Sequence, residues 1–356
     1  MTHSEISHYR LASQKLYKTS QLLPEEIVKH FGAMQAQDYA MAKWAVGSRC
    51  DATEKEIEEA INSAKIIRTH ILRPTWHFVS AEDIYWMLDL SGSQVKRLFA
   101  STALQHGYDT HKLNQVNTAI EKLLAGNNHL TREEIMQELS IQKKTGDLSP
   151  VIVMMNAELD GLVCNGKMKD KQITYALLEE RVLKPPTKFT KEEALAKLAL
   201  RYFESHGPAT LQDFSWWSGF SQTICKNAIK AIELQLENTT IDNQQYWFKK
   251  GLLEEMSFRE SVHFLPAFDE ILISYKTREA SILLEHQSKA FTNNGIFKPI
   301  ILENGKVIGT WKRTIKKDHA KIETAFFNAT DADKKQDLVK GIKLLENYLE
   351  TKIVID

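Results

Sequence analysis

With 356 residues, of which 43% are hydrophobic and 26% charged, the chain has ordinary globular composition and the length for two or three compact units, which excludes a disordered or membrane-embedded polypeptide. Lys plus Arg and Asp plus Glu both number 46, so net charge gives no support for nucleic-acid binding, and any basic face must be local. Cys50, Cys164 and Cys225 are far apart and in neither metal-ligand nor redox spacing, and no apolar stretch follows a basic start at the N-terminus, so a cytoplasmic protein without a secretory signal or membrane span is expected.

In chain order, the first strong helix signal is Thr53 with Glu56, a capping box ahead of the apolar positions Ile57, Ala60, Ile61 and Ala64. Alternating residues around Arg73-Pro74 then predict strands. From Leu130 to Leu178 the pattern is fuller. Thr131 and Glu134 cap a helix carrying Ile135, Met136 and Leu139, Ser149-Pro150 opens a second helix to about Asp160, and Asn165-Gly166 predicts a hairpin whose strands run from Gly161 to Cys164 and up to Tyr175. Helix, helix, hairpin is the order of a winged helix.

That order repeats from Thr190, which with Glu193 caps a helix lined by Ala194, Leu195, Leu198, Ala199, Tyr202 and Phe203. Gly207-Pro208 stops it, Thr210 and Asp213 cap a short helix with Trp216 and Trp217, and Ser221 caps a third to about Leu236. Thr239 to Ile241 and Tyr246 to Lys249 supply the wing. After residue 260 the chain becomes β-rich, with Asn294-Gly295 and Asn304-Gly305 as further hairpin turns, and it ends in a helix striped by Leu338, Ile342, Leu345 and Leu349. The expected fold class is α+β, with three tandem winged-helix modules and a C-terminal β-rich portion, divided into residues 1–125, 126–185, 186–260 and 261–356.

Few stretches suggest chemistry. Gly161 to Met168 imitates a phosphate-binding loop, but Met168 stands where Ser or Thr must meet magnesium, and Asn165-Gly166 explains the stretch as a wing turn. None of the twelve histidines lies in His-Glu-x-x-His spacing or near paired cysteines, and no Gly-x-Ser-x-Gly elbow occurs, so no metal and no cofactor are expected. Gln35 and Gln37 stand two apart with Asp38 next to them. In an extended chain the two amides point to one side, whereas on a helix they diverge by about 200°. By spacing alone they read as solvated surface amides. Arg73, Trp76 and His77 put a cation, an indole and an imidazole into one short strand, where a structural histidine is commoner than a catalytic one. Lys312, Arg313, Lys316 and Lys317 follow Gly309-Thr310-Trp311 and suit phosphates and a solvated charged face equally.

Several ordered stretches together resemble the winged-helix DNA-binding family of AlkZ-like bacterial DNA glycosylases, over nearly the whole chain. They are Met34-Gln35-Ala36-Gln37-Asp38, Leu72-Arg73-Pro74-Thr75-Trp76-His77-Phe78-Val79, Leu159-Asp160-Gly161-Leu162-Val163-Cys164, His206-Gly207-Pro208-Ala209-Thr210, Asp213 to Gly219, Leu265-Pro266-Ala267-Phe268-Asp269-Glu270 and Gly309-Thr310-Trp311-Lys312-Arg313. The resemblance implies tandem winged helices that bind duplex DNA, and catalysis by a Gln, apolar residue, Gln motif, which Gln35, Ala36 and Gln37 match. With Gln37 rather than Asp in the third position, the chain is similar to the branch associated with alkylpurine release and with the unhooking of interstrand crosslinks.

The implied chemistry suits two amides. A purine alkylated at N3 or N7 already carries positive charge and leaves readily, so what remains is to place a water below the sugar and to stabilise oxocarbenium charge with amide carbonyl dipoles. Asp38 is a rival general base, because a carboxylate accepts the water's proton as a neutral amide scarcely does; its plain alternative is a local cap. Arg73 and His77 are secondary candidates for shaping the site or meeting phosphate, and Lys312 and Arg313 for DNA contact. The expected partner is double-stranded DNA carrying alkylated bases, and a monomer is expected because tandem modules surround DNA unaided. Two other functions stay open: a non-catalytic winged-helix DNA-binding protein, which would keep its DNA affinity without either glutamine, and a scaffold for protein contacts, which would show little salt-dependent DNA affinity.

Overall fold

Thr53, Thr131, Thr190 and Thr210 each stand three residues before an acidic side chain. In the computed structural model each threonine hydroxyl accepts that residue's N–H, at 3.3 Å for Glu56, 3.2 Å for Glu134, 3.2 Å for Glu193 and 3.1 Å for Asp213. These caps open four of the helices where the sequence predicts them. The structure describes residues 1–17, 21–141, 148–253, 260–328 and 335–355, and the fold is α+β.

The chain forms two compact units, Glu59–Ala194 and the combination of Met1–Glu58 with Leu195–Asp356, a coarser division than the four segments expected. In the unit Glu59–Ala194, strands Ile66–Ile71 and Arg73–Ser80 pair as an antiparallel hairpin through Leu72, which takes a positive φ of 59°. Helices Ile84–Gln105 and Thr110–Leu124 follow. Next come the strand Leu130–Thr131, helices Arg132–Glu138 and Ser149–Leu159, and strands Val163–Asn165 and Thr174–Leu177. Thr174–Leu177 pairs with both other strands, and Ile120, Leu124, Ile135, Ile152, Val153 and Val163 fill the core beneath them.

The turn predicted at Asn165-Gly166 lies elsewhere. Positive φ values fall on Asp170 (48°) and Lys171 (65°), between the bridged residues Lys169 and Gln172. Asn165 instead turns its side chain to the backbone, its Oδ1 accepting the Arg68 N–H at 2.7 Å. Gly166 serves close packing, since a Cβ there would meet Thr174 Oγ1 at 2.3 Å.

In the other unit, Val262–Leu265, Ile300–Glu303, Lys306–Ile315 and Ala320–Phe326 form an antiparallel sheet, and Ile353–Ile355 adds a parallel strand at its far edge. Here the Asn304-Gly305 turn is as expected, with φ of 49° and 79° at its two residues and Glu303 paired to Lys306. Asn294-Gly295 also turns the chain, but only Gly295 has positive φ and a single bridge, Phe291 to Phe297, flanks it. The helix capped by Ser221 ends at Ala231 rather than Leu236, because Leu236 already opens the strand Leu236–Ile241, paired with Gln244–Lys249. The last helix, Lys335–Leu349, buries Leu338, Ile342 and Leu345.

Candidate active site

Helix Pro24–Phe31 stops at Gly32, whose φ of 76° turns the chain away from the helix. Six residues later Asp38 starts the helix Tyr39–Gly47, its Oδ1 accepting the Met41 N–H at 3.1 Å. Gln35-Ala36-Gln37 therefore lies on a connector fixed at both ends, extended at Met34–Gln35 and irregular after it. Ala33, Met34 and Ala36 are buried and draw the backbone into the core, and Gln35 goes with them, only 7% exposed. The reading of both glutamines as solvated surface amides fails for Gln35. It fails because the neighbouring apolar residues, not the amide's own polarity, decide the depth of the chain here. Gln37 and Asp38 are exposed.

Behind the connector lies a buried polar cluster. Glu270, 2% exposed, accepts the Gln35 N–H on Oε1 at 2.6 Å. Its Oε2 accepts the Ser274 hydroxyl and stands 3.5 Å from His206 Nε2. Burial works to raise the Glu270 pKa, but the His206 ring, the Ser274 hydroxyl and the Gln35 N–H outweigh it and hold the carboxyl down to about 2. Burial pulls the His206 pKa down, against the carboxylate beside it. The neighbouring Asp269 forms a bidentate pair with Arg49, both bonds 2.9 Å, with both side chains buried. Asp269 also caps the short helix Glu270–Ile273 through the Ile271 N–H. Two indoles brace the strand leading to it: Trp44 Nε1–H donates to the Phe264 carbonyl at 2.6 Å and Trp311 Nε1–H to that of Leu265 at 2.8 Å.

Of these buried groups His206, Asp269, Glu270 and Trp311 were named in the sequence only as landmarks, without a role, and Trp44, Arg49 and Ser274 were not named. The signal was there. Asp269 and Glu270 interrupt the otherwise apolar run Leu265 to Ile273, and two carboxylates in such a run must be paired or hydrogen-bonded if it is buried.

The other candidates lie on other elements. Arg73 and His77 belong to the unit Glu59–Ala194 and the glutamines to the other. His77 is buried, and its Nδ1–H donates to the Thr75 carbonyl at 2.9 Å. A cation and an imidazole from outside the expected stretch gather at Trp76. They are Arg68, 4.5 Å above the indole, and His70, 4.4 Å between ring centroids, both from the paired strand. Alternation along the strand sends Trp76 and His77 to opposite faces. Glu158 ties this cluster together, accepting from Trp76 Nε1–H at 3.3 Å and pairing with His70. Lys312 and Arg313 are successive residues of the strand Lys306–Ile315, Lys312 exposed and Arg313 half-buried. Among the described residues no three His, Cys, Asp or Glu side chains gather as a metal site, and no helix is long and apolar enough to cross a membrane.

The model of the AlkZ-like DNA glycosylases matches residues 28–348, and the chain belongs to that family of enzymes that hydrolyse N-glycosyl bonds in DNA. Among its relatives is the interstrand DNA cross-link repair glycosylase of Streptomyces sahachiroi, 20% identical over 323 residues, which cover 86% of this chain and 87% of that one. The solved structure of the Streptomyces sahachiroi DNA glycosylase AlkZ superposes with a TM-score of 0.82 at 18% identity, covering 100% of both chains, and shows a shared fold.

Proposed function

We propose that this DNA glycosylase releases purines alkylated at N3 or N7, that it unhooks interstrand crosslinks made through such positions, and that Gln35 and Gln37 carry the reaction. The observation supporting this reading is the family match over residues 28–348, within which Gln35-Ala36-Gln37 occupies a connector fixed by Gly32, Asp38 and Glu270. A fixed backbone suits groups that act by orientation: the amide oxygens place a water against the anomeric carbon and stabilise the oxocarbenium charge as the cationic base departs. Asp38 serves as a helix cap, and the departing base needs no strong proton donor. The named activity of the Streptomyces relative on crosslinks supports the same substrate class.

Duplex DNA is the partner, held by winged-helix modules. The segment Thr110–Leu177, with its order of helix, strand, helix, helix and hairpin, supports one such module, and the segment from Lys191 to Lys249, three helices and a hairpin, supports another. Lys312, Arg313 and Arg73 serve as phosphate contacts and His77 as a site-shaping group, in a monomeric cytoplasmic enzyme without cofactor. The test is wild-type protein on three duplexes: one with N7-methylguanine, one with an N7-linked crosslink and one undamaged. Free base from the first and separated strands from the second, with none from the third, are expected; inertness toward both damaged duplexes contradicts the reading.

A further inference from the structure

We propose that Glu270 is a positioning residue for base release, holding the peptide N–H of Gln35 so that the Gln35-Ala36-Gln37 connector keeps its catalytic geometry, with His206 and Ser274 orienting the carboxylate from the other side. The inference rests on the proposed role of the two glutamines.

Four observations carry it. Glu270 and Gln35 are 235 residues apart in sequence, so the 2.6 Å bond between them is a deliberate tertiary contact and not a local turn. The bond is charge-assisted and goes to backbone, which fixes where the connector runs whatever the Gln35 side chain does. Glu270 is fully enclosed, and burying a carboxylate is a poor route to stability when an apolar side chain would fill the space. Finally, the structural ion pair of this region is made by the neighbour: Arg49 takes both oxygens of Asp269, leaving Glu270 to the connector, Ser274 and His206. Adjacent carboxylates thus have separate duties, Asp269 holding Arg49 and Glu270 holding the connector. A displacement of about 1 Å in a reacting group costs on the order of a hundredfold in rate, so a backbone anchor has leverage on catalysis.

The experiment compares Glu270→Gln, Glu270→Ala and Ser274→Ala, each with and without Gln35→Ala/Gln37→Ala. The readouts are single-turnover release from an N7-methylguanine duplex, DNA affinity, and amide hydrogen exchange at the peptide containing Gln35. Glu270→Ala is expected to slow release by about ten- to a hundredfold with DNA affinity nearly unchanged, and to add little in the Gln35→Ala/Gln37→Ala background, where no catalytic amide is left to position. Glu270→Gln retains an oxygen that accepts the Gln35 N–H and is expected to recover most of the rate. Exchange at the Gln35 peptide is expected to quicken in Glu270→Ala while the rest of the unit stays protected. If Glu270→Ala does not fold, Ser274→Ala, which only frees the carboxylate, is expected to quicken exchange there and slow release to a smaller degree. Equal losses with and without the two glutamines, unchanged exchange, or a loss confined to DNA affinity overturns the proposal. A wild type that releases no base defeats the catalytic reading instead, and the exchange data then decide whether Glu270 holds the connector.

Discussion

Three carboxylates near the connector do different work, and substitution separates them. Asp38 bonds the Met41 N–H at the start of a helix, so Asp38→Ala is expected to cost about 1 kcal/mol of stability, whereas Asp38→Asn keeps the cap and costs almost none. Asp38→Asn is also expected to keep its base-release rate; a hundredfold fall would make Asp38 the general base in place of the amides. Asp269 is buried against Arg49, and Asp269→Ala leaves that guanidinium without its counter-charge, with an expected loss of about 3–5 kcal/mol in denaturant unfolding. Glu270 acts on the connector itself. None of these roles follows from residue type: the cap is local and was open to a sequence reading, while the two buried carboxylates depend on contacts from more than 200 residues away.

At the scale of elements, the sequence was most legible where signals are local. Thr131-Glu134 and Thr210-Asp213 start helices as read, and Asn304-Gly305 turns a hairpin, because each is decided within a few residues. Asn165-Gly166 misleads because its side chain and its missing Cβ are used in tertiary contacts, with Arg68 and Thr174, that no window of sequence contains. The depth of Gln35 was hidden for a related reason, since an irregular connector has no period to show which face is inside. The strand Lys306–Ile315 offers a test at this scale. Lys312 is exposed and Arg313 half-buried on opposite faces, so Lys312→Ala is expected to weaken duplex binding uniformly across sequences and reduce the slope of log affinity against log salt by about 1. An unchanged slope removes Lys312 from the DNA interface.

For the whole molecule, buried imidazoles set the response to acid. His206 is enclosed, and burial lowers its pKa; His30, bonded to the Ser13 carbonyl at 2.7 Å, is pulled by burial down to about 3. Unfolded, both titrate near 6.5, so between that pH and their folded values the unfolded chain binds more protons and stability falls as pH falls. Below about 4.5 the loss continues as Glu270, held down to about 2 in the folded protein, meets an unfolded state that protonates first. Urea midpoints are therefore expected to be level above pH 7 and to drop steadily from 6.5 toward 4; a flat profile over that range contradicts the assignment of neutral buried histidines. The balance of 46 basic and 46 acidic residues makes DNA binding a matter of local placement, so binding and chemistry must be measured separately. The most direct test of the central claim is single-turnover release of N7-methylguanine by wild type and by Gln35→Ala/Gln37→Ala, with duplex affinity measured on both. Loss of release by at least about a hundredfold with affinity preserved is the expected result, in line with removing groups that stabilise transition-state charge. Release at the wild-type rate by the double variant would contradict the claim that the paired glutamines perform the reaction.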